Sequence, residues 1–160
     1  MEAQTITLRQ TEISDLEHFF LFQLDEEARR LAAFTNKDST DRTAYIERYT
    51  TYLSDPEKNL QTILVGDVIA GSVSKFEMGG EAQITYWIDK SFWGKGVATT
   101  ALKRFLEIET MRPIFAGAAF DNFGSQRVLE KCGFVKTGTD RGFANARGAE
   151  IEEYLYKLSV

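Results

Sequence analysis

Apolar residues change their spacing along this chain, and each change marks an element. Ile6-Thr7-Leu8-Arg9 alternates apolar and polar side chains and predicts a first strand. Leu16, Phe19, Phe20 and Leu24 then fall on one helical stripe, with Ser14 to Glu17 reading as a capping box at its start. Phe22 breaks the stripe and either packs on another element or lines a substrate mouth. Asp25 to Asp41 is polar and loses periodicity, so it reads as a loop with a short helical piece over Glu26–Ala33. Tyr45, Ile46, Tyr49 and Leu53 give a second helix, Thr43 to Leu53, which Asp55-Pro56 closes.

Two β-rich runs follow, Leu60 to Val65 and Val68 to Phe76, around a tight Gly66-Asp67 turn. Met78-Gly79-Gly80 turns the chain into a further strand, Gln83 to Ile88. Ala98, Ala101, Leu102, Phe105 and Ile108 mark a third helix, which Pro113 ends. A strand over Ile114 to Phe120 and a helix over Asn122 to Cys132 come next, with Gly133 placed to stop the helix. Val135 to Phe143 and Ile151 to Leu158 form a last hairpin. The order β-α-α-β-β-β-α-β-α-β-β implies a mixed α/β sheet with one local parallel pair and helices on both faces.

At 160 residues the chain suits one domain over 1–160. A net charge of −5 argues against a nucleic-acid surface and serves solubility, with a weak pull on cationic amines as a second reading. No apolar run reaches membrane-span length, and Met1-Glu2-Ala3-Gln4 does not open a signal peptide, which points to the cytoplasm. Cys132 is the only cysteine, so no intrachain disulfide forms, and its place before Gly133 suits a small core residue better than a nucleophile. With one cysteine and one histidine, His18, no structural zinc site is expected.

The candidate chemistry lies in Phe92-Trp93-Gly94-Lys95-Gly96-Val97-Ala98-Thr99. A strand, a glycine-rich turn and a helix start leave several N–H groups unbonded at the positive end of a helix dipole. That arrangement cradles a phosphate, and Lys95 adds charge. The spacing does not fit a P-loop, and Thr99 replaces the third glycine of a dinucleotide fingerprint. It does fit the acyl-coenzyme A loop R/Q-x-x-G-x-G/A of the GNAT N-acetyltransferases, except that Trp93 stands where Arg or Gln is usual. Trp93 is read as packing under the loop.

A second segment strengthens this resemblance. Asn122-Phe123-Gly124-Ser125-Gln126-Arg127-Val128-Leu129-Glu130-Lys131-Cys132-Gly133-Phe134 resembles the GNAT block N-x-x-S-x-x-V-L-E-K-x-G-F, at the family's distance from the first motif. The chain is similar to the subgroup holding the ribosomal-protein N-terminal acetyltransferases. The resemblance implies a GNAT-like fold, its mostly antiparallel sheet splayed between the fourth and fifth strands. It implies that Trp87, Ile88 and Asp89 offer backbone groups to pantetheine. Gly94, Lys95, Gly96, Val97, Ala98 and Thr99 would hold the pyrophosphate, and Asn122 and Ser125 would lie near the thiol.

The implied reaction is direct transfer of an acetyl group from acetyl-CoA to a primary amine, with no metal. The amine belongs to a protein N-terminus or a small molecule, and the protein is a monomer or homodimer. Leu129 occupies the position of the family's common tyrosine acid, which leaves Ser125 or water to protonate the thiolate. Gln83 occupies that of the common glutamate base, leaving Glu81 and Asp121 as candidates, each equally readable as a surface carboxylate. Tyr86 faces either substrate or core, and Tyr154 and Tyr156 either line an acceptor cleft or pack. These departures also motivate an alternative, a non-catalytic acyl-CoA-binding module.

Overall fold

The computed structural model describes residues 5–160; the first four, with the reading of the N-terminus, lie outside them. Seven strands form one sheet in the order β1-β2-β3-β4-β5-β7-β6. They are β1 (Ile6–Gln10), β2 (Asn59–Val65), β3 (Val68–Met78), β4 (Glu81–Ile88), β5 (Ile114–Ala119), β6 (Val135–Ala144) and β7 (Ala149–Leu158). The helices are α1 (Leu16–Phe22), α2 (Glu26–Ala32), α3 (Arg42–Leu53), α4 (Val97–Ile108) and α5 (Phe123–Lys131). Every strand pair is antiparallel except β4 with β5.

That parallel pair is short. Ala82 pairs with Ile114 and Gln83 with Phe115, and from Ile84 onward β4 runs free of β5. The sheet therefore opens as a V whose closed end lies at Gln83. Below the gap, α4 and α5 bury one face. Ile63, Val73, Ile84, Val97, Leu102, Phe105, Ile114, Leu129 and Tyr156 form this main core. On the opposite face α1 and α3 enclose Leu16, Phe19, Phe20 and Tyr45, with Ile69 of β3 beneath them. Phe22 joins this cluster, so it packs on the helices around it.

The first turn differs from the sequence reading. Ser14 does not cap α1. The chain enters through a 3-10 turn, Ile13–Asp15, and the buried Asp15 carboxylate accepts the Glu12 N–H at 2.8 Å. The same carboxylate accepts two bonds from Arg9 (2.6 and 2.8 Å) and one from the Thr62 hydroxyl (2.9 Å). Glu17 turns outward to Arg42 of α3. Burial alone would raise the Asp15 pKa, but these bonds outweigh it and hold it below the usual carboxylate value. The segment Glu26–Ala32 is a full helix, capped by the Asp25 carboxylate on the Ala28 N–H, so three helices separate β1 from β2 rather than two. Its seven residues were too few to show a period against polar neighbours.

Candidate active site

The turn after β4 is built to leave donors free. Lys90–Phe92 makes one 3-10 turn, and Trp93 folds back so that its indole N–H donates to the Ile88 carbonyl at 2.9 Å. Trp93 packs on the main core. Gly94 and Gly96 then take φ of 75° and 74°, the left-handed region that only glycine enters freely. The first helical bond of α4 runs from the Thr100 N–H to the Gly96 carbonyl at 3.1 Å. Among the described residues the amides of Gly94, Lys95, Gly96, Val97, Ala98 and Thr99 find no acceptor. A Cβ at Gly94 or Gly96 would meet nothing within 4 Å, so no protein atom covers the turn at either glycine. Open space, aligned amides and a helix N-terminus together make an anion cradle.

The register of β3 and β4 decides which backbone groups face the gap. The Asp89 N–H donates to Ala70 at 2.8 Å, and the pairing continues without slip to Glu81. In an antiparallel ladder bonded pairs alternate. Trp87 therefore spends its backbone groups on β3, and Asp89 gives its N–H to β3 and its carbonyl to the Phe92 N–H at 2.9 Å, while Tyr86 and Ile88 point theirs at the gap. The Ile88 carbonyl is taken by Trp93, so its N–H and both groups of Tyr86 are what the gap offers. Of the expected Trp87, Ile88 and Asp89, Ile88 alone turns a backbone group to the gap, and Tyr86 does so as well. Alternation within a strand is legible in a sequence, but which edge it faces is set by the partner strand.

At the mouth of the V stands the start of α5. The Asn122 side-chain oxygen accepts the Ser125 N–H at 3.2 Å, and its amide nitrogen donates to the Leu31 carbonyl at 3.1 Å. The Ser125 hydroxyl lies 2.7 Å from the Tyr86 hydroxyl. Burial pushes the Tyr86 pKa up to about 12, opposed by its bond to Ser125. Sequence reading left Tyr86 open between two sides and did not link it to Ser125. The signal was available in part: Tyr86 shares strand parity with Ile84 and Ile88, which are buried on the α4–α5 face. Leu129 is fully buried in the core, as is Tyr156. Tyr154 packs beneath the Lys136 ammonium at 3.4 Å. Cys132 is half-buried against the core, and burial raises its thiol pKa.

Two expected carboxylates stand apart from this cluster. Glu81 is exposed at the first residue of β4, behind the closed end of the V. At about 3.3 Å per residue it lies about 16 Å along the strand from Tyr86. Asp121 is held at both oxygens by Arg147 of the β6–β7 turn, at 2.7 and 2.8 Å. That pairing drives its pKa down and makes it a weaker proton acceptor.

Arg147 belongs to a wall on the far side of the gap. Its Nε–H donates to the Arg30 carbonyl at 2.7 Å, Asn145 to Thr35 at 2.7 Å, and the Ala146 N–H to Ala33 at 3.1 Å. The polar segment after Asp25 and the turn between β6 and β7 are thus tied to one another. Ala33 is fully buried there at φ 65°, ψ −58°, while the Phe34 N–H reaches back to the Ala32 carbonyl at 2.7 Å. This is a strained γ-turn, enclosed by Ala119 and Ala144.

Comparison with known proteins now bears on the glycine turn and the V. The acetyltransferase (GNAT) domain model matches residues 5–135. The chain belongs to the GNAT acetyltransferase family. The N-acetyltransferase p20 of Bacillus licheniformis, uncharacterized, is 25% identical over 166 residues, covering 97% of this chain and 93% of its own. The ribosomal-protein alpha-N-acetyltransferase RimL, solved with coenzyme A, superposes with a TM-score of 0.84 at 18% identity, covering 98% of this chain and 94% of RimL. Spermidine N-acetyltransferase from Vibrio cholerae, solved with coenzyme A and spermine, gives 0.81 at 21% identity, covering 96% and 95%. These likenesses show the GNAT fold, and family membership makes this chain an acyltransferase. Among the described residues no helix is long and apolar enough to cross a membrane.

Proposed function

We propose that this GNAT protein transfers an acetyl group from acetyl-CoA to a primary amine of a protein N-terminus or a small molecule. One observation carries the reading: six amides from Gly94 to Thr99 lack acceptors beside a gap in the sheet. The residues fit the co-substrate. The cradle would take the diphosphate, with Lys95 exposed at its rim. The Tyr86 and Ile88 backbone would pair with the pantetheine amides, and Asn122 would fix the turn that carries Ser125.

Acetyl-CoA, when bound, supplies the acyl thioester. The chain's share is to hold it extended, admit the amine and move two protons. Ser125 is the proton donor to the departing sulfur, its hydroxyl oriented by Tyr86. Asp121, bound to Arg147, is assigned to the wall and not to proton transfer. The lone free cysteine suits a reducing cytoplasm.

The test is calorimetric titration with coenzyme A, followed by thiol release from acetyl-CoA with spermine, a hexapeptide bearing a free N-terminus, and free lysine. Micromolar binding and release with one acceptor are expected. Binding without release on any amine would return the non-catalytic module; no binding would remove the proposal.

A further inference from the structure

We infer that Glu153 of β7 is the general base of this transfer, replacing the family glutamate that Gln83 lacks. The inference rests on the GNAT reading of the gap and adds to it a residue that no motif marks.

Sheet register places Glu153. Gln83 pairs with Phe115 on the last rung before the V opens, so both side chains leave the same face. Gly117 and Ala119 follow on that face of β5, now past the point where β4 departs. Ala119 pairs with Glu153, which puts the Glu153 side chain on the same face. Ser125 and Tyr86 stand on the opposite face, with α4 and α5. A donor to sulfur and an acceptor from nitrogen thus approach the gap from its two sides.

The carboxylate leans back over Gly117. A Cβ at position 117 would stand 2.5 Å from Glu153 Oε2 and 2.8 Å from Cδ. Any side chain there would displace it, so the glycine is what brings the carboxylate to the gap's edge.

Among the described residues no cation pairs with it. Asp15 and Asp121, the other carboxylates set into the fold, each have an arginine and sit below their usual pKa. Glu153 is half-buried, and burial together with Asp140 on β6 raises its pKa with no bond or cation in opposition. The surrounding charges are few. On this face β5 presents Phe115, Gly117 and Ala119, β6 presents Asp140, and β7 itself presents Lys157. Three of the four charges of α2 turn elsewhere: Glu27 to Lys90, Arg29 to Ser39 and Arg30 toward Asp121; the fourth, Glu26, is a carboxylate and supplies no counter-ion. A part-desolvated carboxylate without a counter-ion is stabilised by an incoming ammonium and is a better base than a surface one.

In the step itself, the nitrogen–carbonyl bond forms and the carbon–sulfur bond breaks. The proton shed by nitrogen passes to Glu153, directly or through one water. The sulfur takes its proton through the Ser125 hydroxyl, which is reprotonated from solvent, or from solvent directly, and Glu153 then releases its own to solvent.

The test uses the full chain with acetyl-CoA and whichever of spermine, the hexapeptide or lysine turns over fastest. Glu153→Gln is expected to lower kcat about 100-fold. It should leave the coenzyme A Kd unchanged and erase the acidic limb of the kcat/KM profile. Glu153→Asp should restore part of the rate. Gly117→Ala, which keeps the carboxylate but pushes it away, should lower kcat with the same unchanged Kd. If Glu153→Gln keeps both its rate and its acidic limb, the base lies elsewhere while the acetyltransferase reading stands. If the unaltered protein fails to bind coenzyme A, both fall together.

Discussion

The two sides of the gap are built by different means. The side proposed to hold the acyl donor is made of backbone: six amides in one continuous turn, held by two left-handed glycines and a folded-back Trp93. The side proposed to receive the acceptor is made of side chains from distant parts of the chain. Arg147, Asn145, Asp121 and Asn122 tie the β6–β7 turn, the start of α5 and the end of α2. Backbone recognition suits a ligand that never changes, because it needs only a fold and two glycines. Side-chain recognition can be rewritten residue by residue, which suits a side that must choose among amines.

The sharpest way to break this comparison is Gly96→Val. A β-branched residue at φ 74° is strained, and relief of that strain would turn the amides on either side of it out of line. Coenzyme A affinity should fall at least about 100-fold by calorimetry, equivalent to about 2.7 kcal/mol. The melting temperature should drop by only a few degrees, roughly the effect of 1–2 kcal/mol of strain. Retained affinity would mean that the donor side is not a backbone device.

Ser125→Ala tests the meeting point of the two sides. We expect kcat to fall about 30-fold with the KM for acetyl-CoA nearly unchanged, and Tyr86→Phe to cost about fivefold through loss of orientation. A KM effect in place of a kcat effect would make the pair a binding element.

Arg147→Ala tests the acceptor side alone. It leaves Asp121 part-buried without its partner and should destabilise the fold by about 2 kcal/mol. Acceptor kcat/KM should fall about tenfold while coenzyme A affinity holds. Equal losses for both substrates would show that the sides are not separable.

The smallest effect is in pH. Asp121 is held below its ordinary pKa by Arg147, so its contribution is present above the unfolded value of about 4 and is lost as pH falls through the depressed folded value. The stability gap between the native protein and Arg147→Ala should therefore be flat near neutrality and narrow below about pH 4. Urea titrations across that range give the measurement.

The same division explains what could be read from the sequence. The cradle was legible because its donors are consecutive residues and its glycines are required by local φ. The V was legible through family resemblance, and the parallel pair at its closed end through element order. The choice of Tyr86 over Trp87 and Asp89 was not, since it depends on which residues of β3 pair with β4. The capping of α1 was misplaced because Asp15 is fixed by Thr62 and Arg9, neither adjacent to it in sequence. Glu153 passed unnoticed for the same reason: only the pairing with Ala119 brings it to the gap.

Asn122 has a mechanical consequence. Its oxygen secures the turn bearing Ser125 and its nitrogen secures the end of α2, so one short amide is the fulcrum between wall and helix. A substrate that shoulders the wall outward must stretch one of those two bonds. On the proposed function, occupancy by the amine would be felt at the Ser125 hydroxyl, with no moving domain to carry the message.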